Sequence, residues 1–167
     1  MFVKKSSSSK VILHLIAVLF VMFNILDIKI AGLSKTMPLF DVMIVFYFAI
    51  FRQAFGLWFV FFLGFLNDAL NGNPLGLTPL IYILLIQLFV VANQRLVIRQ
   101  DFRQILYQFI SFLFCFLFMK WAILSLYNGA FYSILIIAIQ FILSSIFYVV
   151  MHKVCDYLNQ KFIEEKY

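Results

Sequence analysis

Long apolar stretches, separated by short polar or charged ones, run through the whole chain. A helix needs about 20 mostly apolar residues to cross the hydrocarbon layer of a bilayer. Six stretches meet or nearly meet this length, and the sequence predicts an all-α integral membrane protein with six transmembrane helices. The predicted spans are residues 11–31, 37–52, 54–70, 75–94, 104–126 and 131–152, between a basic tail, 1–10, and a second tail, 153–167.

The second and third spans are the least clear part of this pattern. Asp41 and Arg52 interrupt the apolar stretch between Lys35 and Asp68. The stretch is either a short helical hairpin that turns near Arg52 or one overlong helix. A single helix would leave Arg52 near the bilayer centre, at a cost of about 2.5–3.5 kcal/mol on the insertion scale.

The basic residues distinguish these two alternatives. Five spans would place eight basic residues outside and three inside, against the rule that cytoplasmic loops are rich in Lys and Arg. Six spans with both termini in the cytoplasm leave Lys29 and Lys35 outside, and Lys120 inside the fifth span. The cytoplasmic side then holds Lys4, Lys5, Lys10, Arg52, Arg95, Arg99, Arg103, Lys153, Lys161 and Lys166. The six-span topology is therefore predicted.

Composition supports a bilayer environment. The chain of 167 residues is 65% hydrophobic and 12% charged, whereas soluble domains are about 45–50% apolar and about 25% charged. The net charge of +6 comes from basic residues scattered between apolar stretches, which form no basic face for nucleic acid. Cys115 and Cys155 form no metal-ligand pattern with the two histidines, so we interpret them as packing residues.

The segment GFLNDALNGNPLGLTPL, residues 64–80, concentrates the scarce glycines and prolines. Gly64 and Asp68 are four residues apart and share a helix face, on which the glycine allows a second helix to approach closely. Gly72, Pro74 and the two Asn residues around Gly72 predict a tight turn at the outer face. Span three is therefore expected to end here and span four to begin.

Asp68 has two interpretations. It lies either at a wet helix end, where it accepts hydrogen bonds from loop amides or from the start of span four, or in the bundle interior or against a partner helix. Lys120 is a possible charge partner because the fifth span places it near the same outer level. Trp121 next to it also fits a lysine that extends to an aromatic belt at the membrane surface.

Catalytic patterns are not found in the sequence. It contains no His-Glu-x-x-His, no phosphate-binding Gly-rich loop with Lys and no Gly-x-Ser-x-Gly. The seven acidic residues are spread over separate levels and loops. We therefore expect a protein that is not an enzyme and that has no cofactor or metal site.

The segment resembles the rod shape-determining protein MreD family of bacteria. The resemblance rests on Gly56, on Gly64-Phe65-Leu66-Asn67-Asp68 and on Gly72-Asn73-Pro74-Leu75-Gly76-Leu77. It implies a non-catalytic scaffold in the bacterial inner (cytoplasmic) membrane that binds MreC and, through it, MreB. The glycosyltransferase RodA and its penicillin-binding transpeptidase belong to the same assembly. Gly64, Asp68, Gly72, Pro74 and Gly76 are expected signature positions, with a role in packing or partner binding.

A transporter subunit is the alternative. The substrate-binding S subunits of energy-coupling-factor vitamin transporters are also small six-span proteins, and the MreD family is expected to resemble them in fold. Polar residues expected at the outer level are candidates to line a solute pocket: Asp68, Asn71, Asn73, Lys120, Tyr127 and Asn128. The first span has one small residue, Ala17, and lacks the small-residue face with which such subunits bind their transport partner.

Overall fold

The computed structural model describes residues 7–23, 37–95, 101–129 and 133–162, and within these ranges the regular structure is entirely helical. The helices are α1 (Ser7–Phe23), α2 (Phe40–Val45), α3 (Leu57–Asn71), α4 (Leu77–Arg95), α5 (Phe102–Asn128) and α6 (Ile134–Phe162). A π-helical segment, Phe46–Phe51, continues α2 without a break.

A sharp turn separates α2 and its π-helical segment from α3. The segment ends where the Arg52 amide donates to the Tyr47 carbonyl. Gln53 then adopts a positive φ of 49°, which breaks the helix. The stretch from Lys35 to Asp68 therefore does not form one overlong helix within its described part, and the turn falls at Arg52, where the charge pattern predicts it.

The centre of the fold is α2 with its π-helical segment. Every residue from Asp41 to Ile50 is buried. Phe46 packs against the rings of Phe109, Phe112 and Tyr148, at centroid distances of 5.4, 5.5 and 5.8 Å. Phe109 of α5 and Tyr148 of α6 stack almost in parallel, with centroids 3.7 Å apart. Stacked and edge-to-face aromatic pairs therefore join α2, α5 and α6 in one core.

Two hydrogen bonds show how α2 and α6 are oriented relative to each other. The Leu39 amide, just before α2, donates to the buried Ser144 hydroxyl at 3.0 Å. At the other end of the helix, the Tyr47 hydroxyl donates to the Asp156 carboxylate. The earlier residue near α2, Leu39, thus contacts the earlier residue of α6, Ser144, and the later one, Tyr47, contacts the later one, Asp156. Helices α2 and α6 therefore run parallel.

Helices α5 and α6 are long and apolar enough to cross a membrane, with mean hydropathies of 2.1 and 2.5 in their most apolar windows. Only 33% and 17% of the residues in these windows are buried within the protein. The core helix of a soluble protein would instead be mostly buried. Shorter apolar helices cover Val11–Phe23, Phe40–Phe51, Leu57–Asn71 and Leu77–Ala92.

The helix ends differ from the predicted spans mainly in α6. This helix continues to Phe162, well past the predicted end at residue 152, so residues 153–162 of the predicted tail are helical. Parts of the predictions lie outside the described residues, namely 1–6, 24–31 of the first span, 131–132 of the sixth span and 163–167. Lys29, Lys35 and Arg99 also lie outside them.

Candidate functional sites

Helices α3 and α4 form a hairpin that contains Gly64, Asp68, Gly72, Pro74 and Gly76. A Cβ atom at Gly64 would lie 2.7 Å from the backbone nitrogen and 2.8 Å from the Cα of Pro79. Real Cβ atoms essentially never approach backbone atoms so closely. Gly64 is therefore the point at which the two helices come into backbone contact, which is the close approach that the sequence predicts.

Asp68 joins the same two helices one helical turn further along α3. Its side chain is completely buried. One carboxylate oxygen, Oδ2, accepts the amides of Gly76 at 3.1 Å and Thr78 at 2.9 Å, and Oδ1 accepts the Thr78 hydroxyl at 2.5 Å. The first amides of a helix have no partner within that helix and attract negative charge. Asp68 of α3 thus serves as the N-terminal cap of α4.

The first interpretation of Asp68 agrees with the structure in one respect and disagrees in another. Its hydrogen bonds go to the start of span four, as the first interpretation expects. Its burial does not fit a wet helix end. We refer to Asp68, Gly76 and Thr78 below as the Asp68 cap.

Glycines with positive φ form the turn inside the hairpin. Gly72 ends α3 in the left-handed region, with φ 66° and ψ 24°, and its amide and that of Asn73 both donate to the Asp68 carbonyl. The Pro74 carbonyl accepts the Leu77 amide at 3.2 Å, and Gly76 has φ 96°. Nothing lies within 4 Å of a Cβ built on Gly72 or Gly76. These two glycines are therefore required by backbone conformation and not by lack of space.

Lys120 lies beside aromatic side chains. Its ammonium lies 5.9 Å from the centroid of the Phe116 ring. The Phe116 ring stacks on Tyr82 at 5.2 Å, and the Tyr82 hydroxyl donates to Asp41 at 2.6 Å. The hydrogen bonds described for the Asp68 carboxylate all come from Gly76 and Thr78, and its pairing with Lys120 stays a prediction.

Asp41 is a second buried carboxylate. It lies in the first turn of α2 and is 2% exposed. Tyr82 of α4 donates to its Oδ2, while its Oδ1 is buried with no hydrogen-bond partner in the described part of the chain. Asp41 therefore joins the starts of α2 and α4, beyond any effect of its charge on the helix dipole.

At the other end of α2, a group of polar side chains surrounds Asp156, and we call Tyr47, Arg52, His152 and Asp156 the Asp156 cluster. Asp156 Oδ1 accepts the Tyr47 hydroxyl and lies 3.4 Å from Arg52 Nη2. Arg52 Nε donates to the Tyr47 hydroxyl oxygen at 3.3 Å, and His152 Nε2 lies 3.5 Å from Asp156 Oδ2. The Tyr148 hydroxyl is 3.3 Å from His152 Nδ1.

The Asp156 cluster is a structural link that sequence reasoning missed. The predicted spans place His152 at the end of the sixth span and Asp156 in the tail that follows it. The available signal was the four-residue spacing of Tyr148, His152 and Asp156, which places them on one helix face. That signal required α6 to continue past residue 152. The contacts to Tyr47 and Arg52 span more than 100 positions in sequence and leave no local pattern.

Described residues line an apolar groove and a partly polar one on the surface. An apolar groove of about 350 Å³ lies between α5 and α6. Its walls are Phe114, Leu117, Phe118, Trp121, Ile134, Ile137, Ala138 and Phe141. A second groove of about 550 Å³ lies beside the Asp156 cluster and includes the side chains of Arg52 and Lys153. Among residues 7–23, 37–95, 101–129 and 133–162, no group of three or more His, Cys, Asp or Glu side chains is arranged to hold a metal ion.

Comparisons with models of known protein families, with curated proteins and with solved structures find no match for this chain.

Proposed function

We propose that the protein is a non-catalytic scaffold subunit of the bacterial cell-elongation machinery, embedded in the inner membrane as a multi-pass protein. It binds MreC, which links it to MreB, and it acts in the same assembly as RodA and its transpeptidase. The observation that carries this proposal is the α3–α4 hairpin. The MreD-like segment supplies its close contact at Gly64, its cap at Asp68 and its turn at Gly72, Pro74 and Gly76.

Membrane insertion is supported by the outward-facing apolar surface. Soluble proteins rarely expose large contiguous apolar patches. Here, α5 and α6 are apolar along most of their length and expose Phe114, Phe118, Ile142, Ile146 and Val150 by 56–62%. A bilayer would cover these side chains.

The helix directions fit six spans. With a cytoplasmic N-terminus, spans two and six both run from outside to inside, and α2 and α6 are parallel. The turn at Arg52 and Gln53 keeps α2 and α3 separate, which the six-span topology requires. Both termini are then cytoplasmic, and the hairpin turn at Gly72 lies on the outer side.

The apolar groove between α5 and α6 is the proposed contact for the single membrane span of an MreC-like partner. Asp68 is a poor candidate for this contact because it is fully buried and its carboxylate is engaged by α4. Helices associate in membranes mainly through close packing of side chains, and an apolar groove between two long helices offers such a surface. Ala138 lies in this groove and is a small residue at which another helix can approach.

Depletion in the native bacterium tests the proposed function. Loss of the protein should convert rod-shaped cells to round ones. Complementation should fail with Ala138→Trp, which fills the groove, and succeed with Leu135→Trp, an exposed position on the same helix outside the groove. Rod shape that persists after complete loss, together with a defect in vitamin uptake, would instead favour the transporter subunit.

A further inference from the structure

The groove beside the Asp156 cluster combines a polar end with apolar walls. Arg52, Lys153 and Asp156 supply its charged side chains, and Phe51, Phe102, Ile105 and Val149 its apolar ones. His152 completes the lining. Its volume of about 550 Å³ lies within the range of about 300–1,000 Å³ that is typical of small-molecule sites. We call this the Lys153 groove.

The side chains that line the Lys153 groove carry a net positive charge. Two cations face one carboxylate, which leaves a net charge of +1 with His152 counted as neutral. Asp156 is engaged by Tyr47, Arg52 and His152, and its charge is shared among these contacts. Lys153 is exposed at the edge of the groove. A ligand that approaches Lys153 and Arg52 is therefore expected to be an anion.

The apolar walls continue out of the groove along α6. Ile142, Ile146, Val149 and Lys153 follow each other at spacings of four, three and four residues, which places them on one helix face. The three apolar residues of this series are 56%, 62% and 39% exposed. An apolar stripe along the surface of the long helix therefore ends at Lys153.

We propose that the Lys153 groove binds an anionic phospholipid, with the phosphate at Lys153 and Arg52 and an acyl chain along Val149, Ile146 and Ile142. This ligand combines a negative headgroup with a long apolar chain, as the groove combines cations with an apolar stripe. A free phosphate or a soluble phosphate ester would leave the stripe unused. Basic pockets between membrane helices on the cytoplasmic side characteristically bind anionic headgroups. The inference uses the membrane insertion of the proposed function but not its partners.

Lipid binding by the purified full-length chain tests the headgroup part. The protein is held in neutral detergent with phosphatidylglycerol or phosphatidylcholine of the same acyl chains, and bound lipids are counted by native mass spectrometry. Phosphatidylglycerol should be retained in preference. Lys153→Gln should weaken its binding about fivefold, which corresponds to about 1 kcal/mol for one basic residue near an anionic surface. Lys161→Gln, the same charge change on the same helix outside the groove, should leave binding unchanged.

A second pair of variants tests the acyl part. Val149→Trp fills the apolar wall and should lower binding of both lipids, while Val150→Trp, next to it and outside the lining, should not. Equal loss in Lys153→Gln and Lys161→Gln would overturn the proposal, because binding would then depend on overall charge. Displacement of the lipid by equal concentrations of inorganic phosphate or glycerol phosphate would also overturn it and indicate a soluble anion.

These outcomes are separate from those for the proposed function. An acidic protein segment that co-purifies in place of lipid and is released by Lys153→Gln would overturn the lipid proposal. Resistance of the protein to carbonate extraction tests membrane insertion independently. Lipid selectivity in the purified chain needs no scaffold partner, so it can fail while the cell-shape phenotype holds, or hold while that phenotype fails.

Discussion

Asp68 caps the helix to which Thr78 belongs, with its carboxylate accepting the Thr78 amide at 2.9 Å and the Thr78 hydroxyl at 2.5 Å. The two residues lie on different helices of one hairpin. A completely buried carboxylate is costly unless it accepts hydrogen bonds, and the start of α4 supplies donors that would otherwise lack partners. The pair therefore fixes the position of α4 relative to α3.

The first prediction follows from this pair. Asp68→Asn should preserve folding, because the amide keeps the size and an oxygen that can accept the Gly76 and Thr78 amides, while the Thr78 hydroxyl can turn to accept from its NH₂ group. Asp68→Leu should destabilise the protein by about 1–3 kcal/mol for each amide left buried without an acceptor. Thermal melting in detergent measures both variants. Equal stability of the Leu variant and the wild type would contradict the capping role.

The second prediction concerns the helix contact at Gly64. Gly64→Ala should lower the free energy of unfolding by about 1–3 kcal/mol, because the new methyl group meets the Pro79 backbone, which cannot move aside like a flexible side chain. Gly56→Ala is the matched control, since nothing lies within 4 Å of its Cβ position and its φ is −73°. Similar melting temperatures for the two variants would show that α3 and α4 can separate at low cost.

The third prediction separates backbone strain from crowding at Gly72. The left-handed conformation costs an L-residue about 1–2 kcal/mol, while Asn tolerates it better because its side chain hydrogen-bonds locally. Gly72→Val should therefore reduce the yield of folded protein more than Gly72→Asn, although there is space for either first carbon atom. The yield is measured by size-exclusion chromatography of a fluorescent fusion. The reverse order would mean that the turn conformation does not matter.

Sequence reasoning located the hairpin because its signals are local. Glycine and proline are scarce in this chain, and their concentration between Gly64 and Pro79 marks both a turn and a close contact. Which oxygen of Asp68 meets which amide depends on the packing of two helices. Only the structure gives these contacts.

The Asp156 cluster shows the opposite case. The predicted sixth span ends at His152 because the continuous apolar stretch ends there. An apolar pattern shows where such a stretch ends, but not where the helix ends. The helix continues because its next turns still pack inward, with Cys155 and Asn159 both 1% exposed. The π-helical segment at Phe46–Phe51 is also not apparent from sequence, since no glycine or proline marks it.

The fourth prediction tests whether the Asp156 cluster joins α2 to α6. Tyr47→Phe removes one hydroxyl and Asp156→Ala removes the shared acceptor. In a double-mutant cycle, the two changes should be coupled by about 0.5–3 kcal/mol in the free energy of unfolding. Because the Arg52 and Asp156 side chains are 27% and 37% exposed, most of this coupling is expected from the Tyr47 hydrogen bond and not from the ion pair. Additive effects would show that the cluster contributes no specific link.

The fifth prediction concerns topology. Reporter fusions after Lys10, near Arg99 and at Tyr167 should all be cytoplasmic, and a fusion near Gly72 should be extracytoplasmic, because the basic residues are distributed ten to two between the sides. An extracytoplasmic C-terminus would contradict the six-span topology.

The measurement that tests the scaffold function most directly is purification of the tagged protein from its own membranes after gentle extraction, with identification of the proteins that come with it. We expect an MreC-like protein with one membrane span and an extracytoplasmic domain, together with the RodA glycosyltransferase and its transpeptidase. Recovery of the MreC-like protein at equal membrane abundance should be lost in Ala138→Trp and kept in Asp68→Asn. Co-purification of transporter ATPases in place of these proteins would contradict the account.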